Sequence, residues 1–66
     1  MRLTINGNLS EFPDGTGINA ILDHYQVNPE GVVIELNSNI IKRHEWQSVS
    51  IKNNDTLELI TFVGGG

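Results

Sequence analysis

One stretch of this chain, and only one, has the spacing of an amphipathic helix. Ile18, Ile21, Leu22 and Tyr25 fall at i, i+3, i+4 and i+7, which stacks them on one face. Elsewhere the apolar residues come in short alternating or β-branched runs, the pattern of strands. A lone helix must bury its apolar face, and the only apolar surface large enough here is a sheet. That restricts the chain to an α+β fold in which one main helix packs on one face of a sheet. Size tightens the restriction, because 66 residues make one small domain that buries only about 60% of its unfolded surface. Cysteine is absent, so neither disulfides nor thiolate-held metals supplement the core, which supplies only about 3–5 kcal/mol.

The strands are read in order from their turns. Leu3 and Ile5 alternate with Arg2 and Thr4, and Asn6-Gly7 then predicts a type I′ hairpin turn, since both central positions need positive φ. Leu9 and Phe12 read as the returning strand, closed by the breaker cluster Pro13-Asp14-Gly15-Thr16-Gly17. Thr16 is placed to cap the helix, with Asn19 leaving a capping box incomplete, and Pro29 stops any continuation. Val32-Val33-Ile34-Glu35-Leu36 is a compact strand, Asn37-Ser38-Asn39 a turn and Ile40-Ile41 a short strand. Lys42 to Gln47 reads as a one-turn helix or irregular loop that pins Trp46 into the core. Val49 and Ile51 alternate with serines as a further short strand, Asn53-Asn54-Asp55 turns again, and Thr56 to Val63 is the last strand. Hairpin, helix, strand, short strands and long final strand is the order of the β-grasp, or ubiquitin-like, arrangement. Its sheet is mixed and four- to five-stranded, with the first and last strands parallel at the centre. The expected division is a β-grasp domain over residues 1–63 and a flexible glycine tail over 64–66.

Four basic residues against eight acidic ones leave a net charge of −4. Nucleic acid and anionic membrane surfaces are thereby disfavoured as partners, and a protein with a basic face is favoured. No run approaches the length of a membrane span, and Met1 to Ile5 lacks a signal-peptide apolar segment, which points to the cytoplasm.

Several motifs invite a catalytic reading and fail on their surroundings. Gly15-Thr16-Gly17 with Ala20, and Glu35 further on, fits the dinucleotide pattern G-x-G-x-x-A. That fingerprint requires a buried parallel strand immediately before the first glycine, whereas here a hairpin strand and Pro13-Asp14 precede it. His44-Glu45 begins like the zinc motif H-E-x-x-H, but Ser48 stands where the second histidine is needed. His24, beside Asp23, suits the negative end of a helix dipole. None of the serines at 10, 38, 48 and 50 lies in a G-x-S-x-G elbow. The expectation is a chain that catalyses nothing alone and binds no cofactor or metal.

The last strand feeds directly into Gly64-Gly65-Gly66. Three glycines are a poor way to end a fold, since they lose more freedom on ordering than any other residue. They suit a thin peptide that enters a narrow channel, or else form a frayed end without a role. The chain in front of them carries a resemblance. The segment Leu57 to Gly66, the run Glu35-Leu36-Asn37 followed by Ile40-Ile41, Arg43 and Trp46, and the helix start Thr16-Gly17-Ile18 with Ile21-Leu22 together resemble the ubiquitin-like sulfur carrier family. Within it, the likeness is to the sulfur carriers of thiamine biosynthesis and covers essentially the whole chain. Lys42 stands where the family often has proline, and Asn53-Asn54-Asp55 replaces an Asp-Gly-Asp turn; both lie in connections. The small subunit of molybdopterin synthase shares the fold and a Gly-Gly end, but it usually has prolines just before its glycines, and Thr61-Phe62-Val63 has none. A ubiquitin-like protein modifier, joined to lysines by an isopeptide bond, is the third class with such a tail.

The resemblance implies a mechanism. A ThiF-like adenylating enzyme uses ATP and magnesium to convert the Gly66 carboxylate into an acyl adenylate. Sulfur from a donor protein's persulfide then displaces AMP and leaves a thiocarboxylate, which a ThiG-like thiazole synthase consumes. Gly64 and Gly65 would let the tail thread, because any Cβ narrows the clearance. Alternation also divides the last strand, with Leu57, Leu59, Thr61 and Val63 on one face and Glu58, Ile60 and Phe62 on the other. The helix covers only one of these faces. Ile60 and Phe62, with Val63, are therefore candidates for partner docking, unless the loop around Trp46 covers them.

Overall fold

Arg2–Ile5 and Asn8–Glu11 are the first two strands, β1 and β2, paired antiparallel around Asn6-Gly7. The computed structural model describes residues 1–62, and Val63 to Gly66 lie outside the described residues. Asn6 and Gly7 stand at φ 50° and 83°, the two positive values a type I′ turn demands. The helix α1 spans Ile18–His24, and a 3-10 turn at Pro29–Gly31 leads into β3, Val32–Leu36. β4 is Asn39–Ile41, a second 3-10 turn covers Arg43–Glu45, and β5 is Thr56–Thr61.

The five strands form one sheet in the order β2-β1-β5-β3-β4. β1 and β5 lie parallel at its centre, with Thr4 opposite Thr56 and Ile5 opposite Leu57, and every other pairing is antiparallel. This is the mixed sheet and central parallel pair expected from the sequence.

Alternation along the strands explains the core. Leu3 and Ile5 of β1, Val32 and Ile34 of β3, and Leu57 and Leu59 of β5 all point to one face, where Ile18, Ile21 and Leu22 of α1 cover them. Trp46 and Ile51 complete the buried cluster from the connection between β4 and β5. The buried indole keeps its N–H satisfied by donating to the Ile41 carbonyl at 3.1 Å, as a buried tryptophan must.

Local expectations needed correcting in five places. Thr16 does not cap α1: its hydroxyl donates to the Pro13 carbonyl at 2.7 Å, closing the breaker turn, and Gly17 takes the cap position without a side-chain bond. Tyr25 is not on the buried stripe. The helix ends at His24, Gln26 reverses the chain at φ 57°, and Val27 N–H donates back to the Leu22 carbonyl, a left-handed close in which Gln stands where Gly is usual. The Tyr25 ring is left 40% exposed, edge-on to Phe12 and His24, with its hydroxyl 3.1 Å from that of Ser10. Phe12 lies just beyond β2 and packs against the core, whereas Leu9 within β2 is 71% exposed, on the uncovered side. Val49 and Ile51 form no strand. Their segment is tied up by local bonds, Val49 N–H to the Glu45 carbonyl and Lys52 N–H to the Asp55 carboxylate, so Ile51 reaches the core from an irregular loop. The last strand ends at Thr61, short of the expected Val63, and the boundary expected between residues 63 and 64 falls outside the described residues.

Candidate functional site

β5 carries the residues nearest the glycine tail, and its position in the sheet decides what they do. It is central, with β1 on one side and β3 on the other. Thr61 pairs with Val32 and Ile60 with Val33, and beyond the strand Phe62 N–H donates to the Gly31 carbonyl at 3.0 Å. The backbone is thus held in the sheet through Thr61 and bonded once more at Phe62.

Two asparagines extend that hold. Pairing of β1 with β5 stops at Ile5–Leu57, and there the Asn6 side chain takes over. Its Oδ1 accepts from Leu59 N–H at 2.7 Å and its Nδ2 reaches the Leu59 carbonyl at 3.4 Å. Asn37, in the turn between β3 and β4, accepts from Thr56 N–H at 2.9 Å and donates to the Asp55 carboxylate at 3.0 Å. Both residues sit at positive φ, 50° each, so the two tight turns of the sheet clip β5 at its start, Thr56, and within it, at Leu59. Sequence reading saw these asparagines only as turn formers. Nothing in their spacing signalled the bonds to β5, which depend on strand order.

The uncovered face of the sheet answers the question left open about Ile60 and Phe62. They are 43% and 61% exposed, so the loop around Trp46 does not cover them. Trp46 faces the core, and the Arg43 guanidinium lies over its ring at 5.9 Å. Ile40 of β4, 64% exposed, and Val33 of β3 share the outer face with Ile60 and Phe62. Between them stand two carboxylates that the sequence analysis did not join: Glu35 of β3 is directly opposite Glu58 of β5. Alternation put Glu58 on this face, but only the register brings Glu35 against it. Val63, the third candidate for docking, and Gly64, Gly65 and Gly66 lie outside the described residues.

The remaining motifs stay apart. Gly15-Thr16-Gly17 opens a helix of seven residues, and Glu35 stands on the face of the sheet away from it. Among the described residues no group of His, Asp and Glu is arranged to hold a metal ion, and no helix is long and apolar enough to cross a membrane.

Comparison with known proteins agrees with this architecture. The family model for ThiS matches residues 3–66. The sulfur carrier protein ThiS of Bacillus subtilis is 34% identical over 65 residues, covering 97% of this chain and 98% of that protein. A thiazole synthase of Paramagnetospirillum magneticum is 32% identical over the whole chain, which spans 20% of that enzyme's length. The crystal structure of a thiamine biosynthesis protein, ThiS, from Geobacter metallireducens superposes with a TM-score of 0.80 at 33% identity, covering all of both chains. The chain belongs to the ThiS family, the sulfur carriers of thiamine biosynthesis.

Proposed function

We propose that the sulfur is carried on Gly66, as a thiocarboxylate made from its carboxylate and delivered to a thiazole synthase. What carries the reading is the geometry leading to the tail. A central strand pinned at Thr56 by Asn37 and at Leu59 by Asn6 leads through exposed Ile60 and Phe62 into the sequence Gly64-Gly65-Gly66. Such a tail extends from a rigid base, and its small residues fit a narrow channel.

A carboxylate is a poor acyl donor because its leaving group is oxide. Activation therefore falls to a ThiF-like partner, which uses ATP and magnesium to form an acyl adenylate at Gly66 with release of pyrophosphate. The terminal sulfur of a donor protein's persulfide attacks the carbonyl carbon and AMP departs. A second thiol then breaks the sulfur–sulfur bond, leaving the thiocarboxylate on Gly66 and a disulfide on the donor side. The chain contributes reach and docking through Ile60, Phe62 and Val63, and its partners contribute the catalysis. ATP-dependent activation fits work in the cytoplasm. A thiazole synthase that contains a segment similar to this entire chain supports that enzyme as the consumer.

The test is activation. Deleting Gly66, or adding one residue after it, is expected to abolish ATP–pyrophosphate exchange with the adenylating enzyme. Normal exchange by the extended chain overturns the assignment. Intact-mass spectrometry after incubation with the sulfur donor separates the alternatives: replacement of one oxygen by sulfur supports the carrier, and an isopeptide adduct to lysine would make the chain a modifier.

A further inference from the structure

The outer face of the sheet holds a pair of charges that the fold has no use for. Glu35 and Glu58 are cross-strand neighbours, and like charges set directly opposite each other destabilise a sheet. Among the described residues no ion pair relieves them. The one ion pair among the described residues joins the Met1 ammonium to Asp14. Arg2, the only basic residue within a strand, is in register with Glu11 at the other side of the sheet, and Arg43 is engaged over Trp46. Apolar side chains flank the pair on the β4 side and toward the end of β5. Ile40 is in register with Glu35, the Val33–Ile60 pair lies one pleat further along, and Phe62 follows toward the tail.

We infer that this face docks onto an apolar surface of the thiazole synthase that presents a lysine or arginine over the Glu35–Glu58 pair. The inference rests on the delivery reading above and names what the partner must offer. Charge complementarity carries it. One cation between the two carboxylates donates a charge-assisted hydrogen bond to each and removes a repulsion present in the free carrier. Ile40, Ile60 and Phe62 supply the area and exclude water, which strengthens the charged contact at their centre. The same pair rejects wrong partners, since an apolar surface lacking the cation would bury two like charges together. The acidic pair therefore contributes specificity as well as affinity, and the apolar residues contribute area.

The test is a binding titration of the carrier with the thiazole synthase of the same organism at low and high salt, with thermal melts of each carrier alongside. The double variant Glu35→Gln/Glu58→Gln is expected to melt no earlier than the parent, to bind about tenfold or more weakly, and to lose most of the salt dependence. Ile60→Ala is expected to weaken binding while keeping that dependence. Unchanged affinity in the double variant, or weaker binding with the parent's salt dependence, overturns the inference. So does a change in self-association of the carrier, which would make a second copy the occupant. Failure of the delivery reading looks different: the parent carrier itself then shows no binding to the synthase at any salt concentration.

Discussion

β5 has two faces, and they differ more than any two elements of the molecule. Leu57 and Leu59 disappear beneath α1, while Glu58 and Ile60, their immediate neighbours in sequence, face outward. The same contrast repeats on β3, where Ile34 is fully buried and Glu35 belongs to the charged pair. The inner face is apolar, sealed and without a buried polar side chain among the described residues. The outer face mixes exposed Leu9, Ile40, Ile60 and Phe62 with acidic residues that oppose one another. One helix can shield one side of a sheet, so residues on that side answer to stability alone. The other side is free to keep groups that cost stability, and what it keeps is best explained by a partner.

Substitutions on the two faces should separate those roles. Leu57→Ala removes a fully buried side chain at the centre of the inner face and is expected to cost about 2–5 kcal/mol, most or all of the stability of so small a domain. A folded, cooperative melt near that of the parent would break the comparison. On the outer face, Phe62→Ala is expected to weaken association with the partner by about 2 kcal/mol while shifting stability by no more than about 0.5 kcal/mol. An early melt would make Phe62 part of the fold instead. Trp46→Phe tests the loop that completes the inner face. It forfeits the indole bond to the Ile41 carbonyl, so a loss of about 1 kcal/mol is expected in denaturant titrations, without any change in partner binding. The smallest effect has the opposite sign. Glu58→Gln alone is expected to stabilise the carrier by roughly 0.2–1 kcal/mol at low salt, as the cross-strand repulsion is lost. The gain should shrink as salt rises, and a destabilised variant would show that the pair supports the sheet after all.

Period and turn chemistry made most of the inner face legible in advance. Leu3, Ile5, Leu57 and Leu59 were placed by alternation, Ile18, Ile21 and Leu22 by i, i+3, i+4 spacing, and Asn6-Gly7 fixed the first hairpin. Phe62 and Ile60 could be assigned to the outer face on the same grounds, but their exposure could not, because that depended on where the loop around Trp46 would go. Local signals failed where a residue had two uses. Thr16 had a cap's chemistry and spent it on the breaker turn, and Val49-Ser50-Ile51 had a strand's alternation inside a segment whose amides bond locally. The Glu35–Glu58 pair was out of reach for a different reason. Each residue was visible alone, and only the register of two strands far apart in sequence brings them together.

Placing β5 between two neighbours also has a mechanical consequence. A pull applied at the Thr61 end of β5 acts along the strand's own axis. β5 is bonded on both sides, through its ladders to β1 and β3 and through the side chains of Asn6 and Asn37. A load in that direction is shared by many hydrogen bonds in shear, which must yield together, whereas an edge strand would peel away one bond at a time. The domain can therefore bear a load applied at that end of β5 and stay intact.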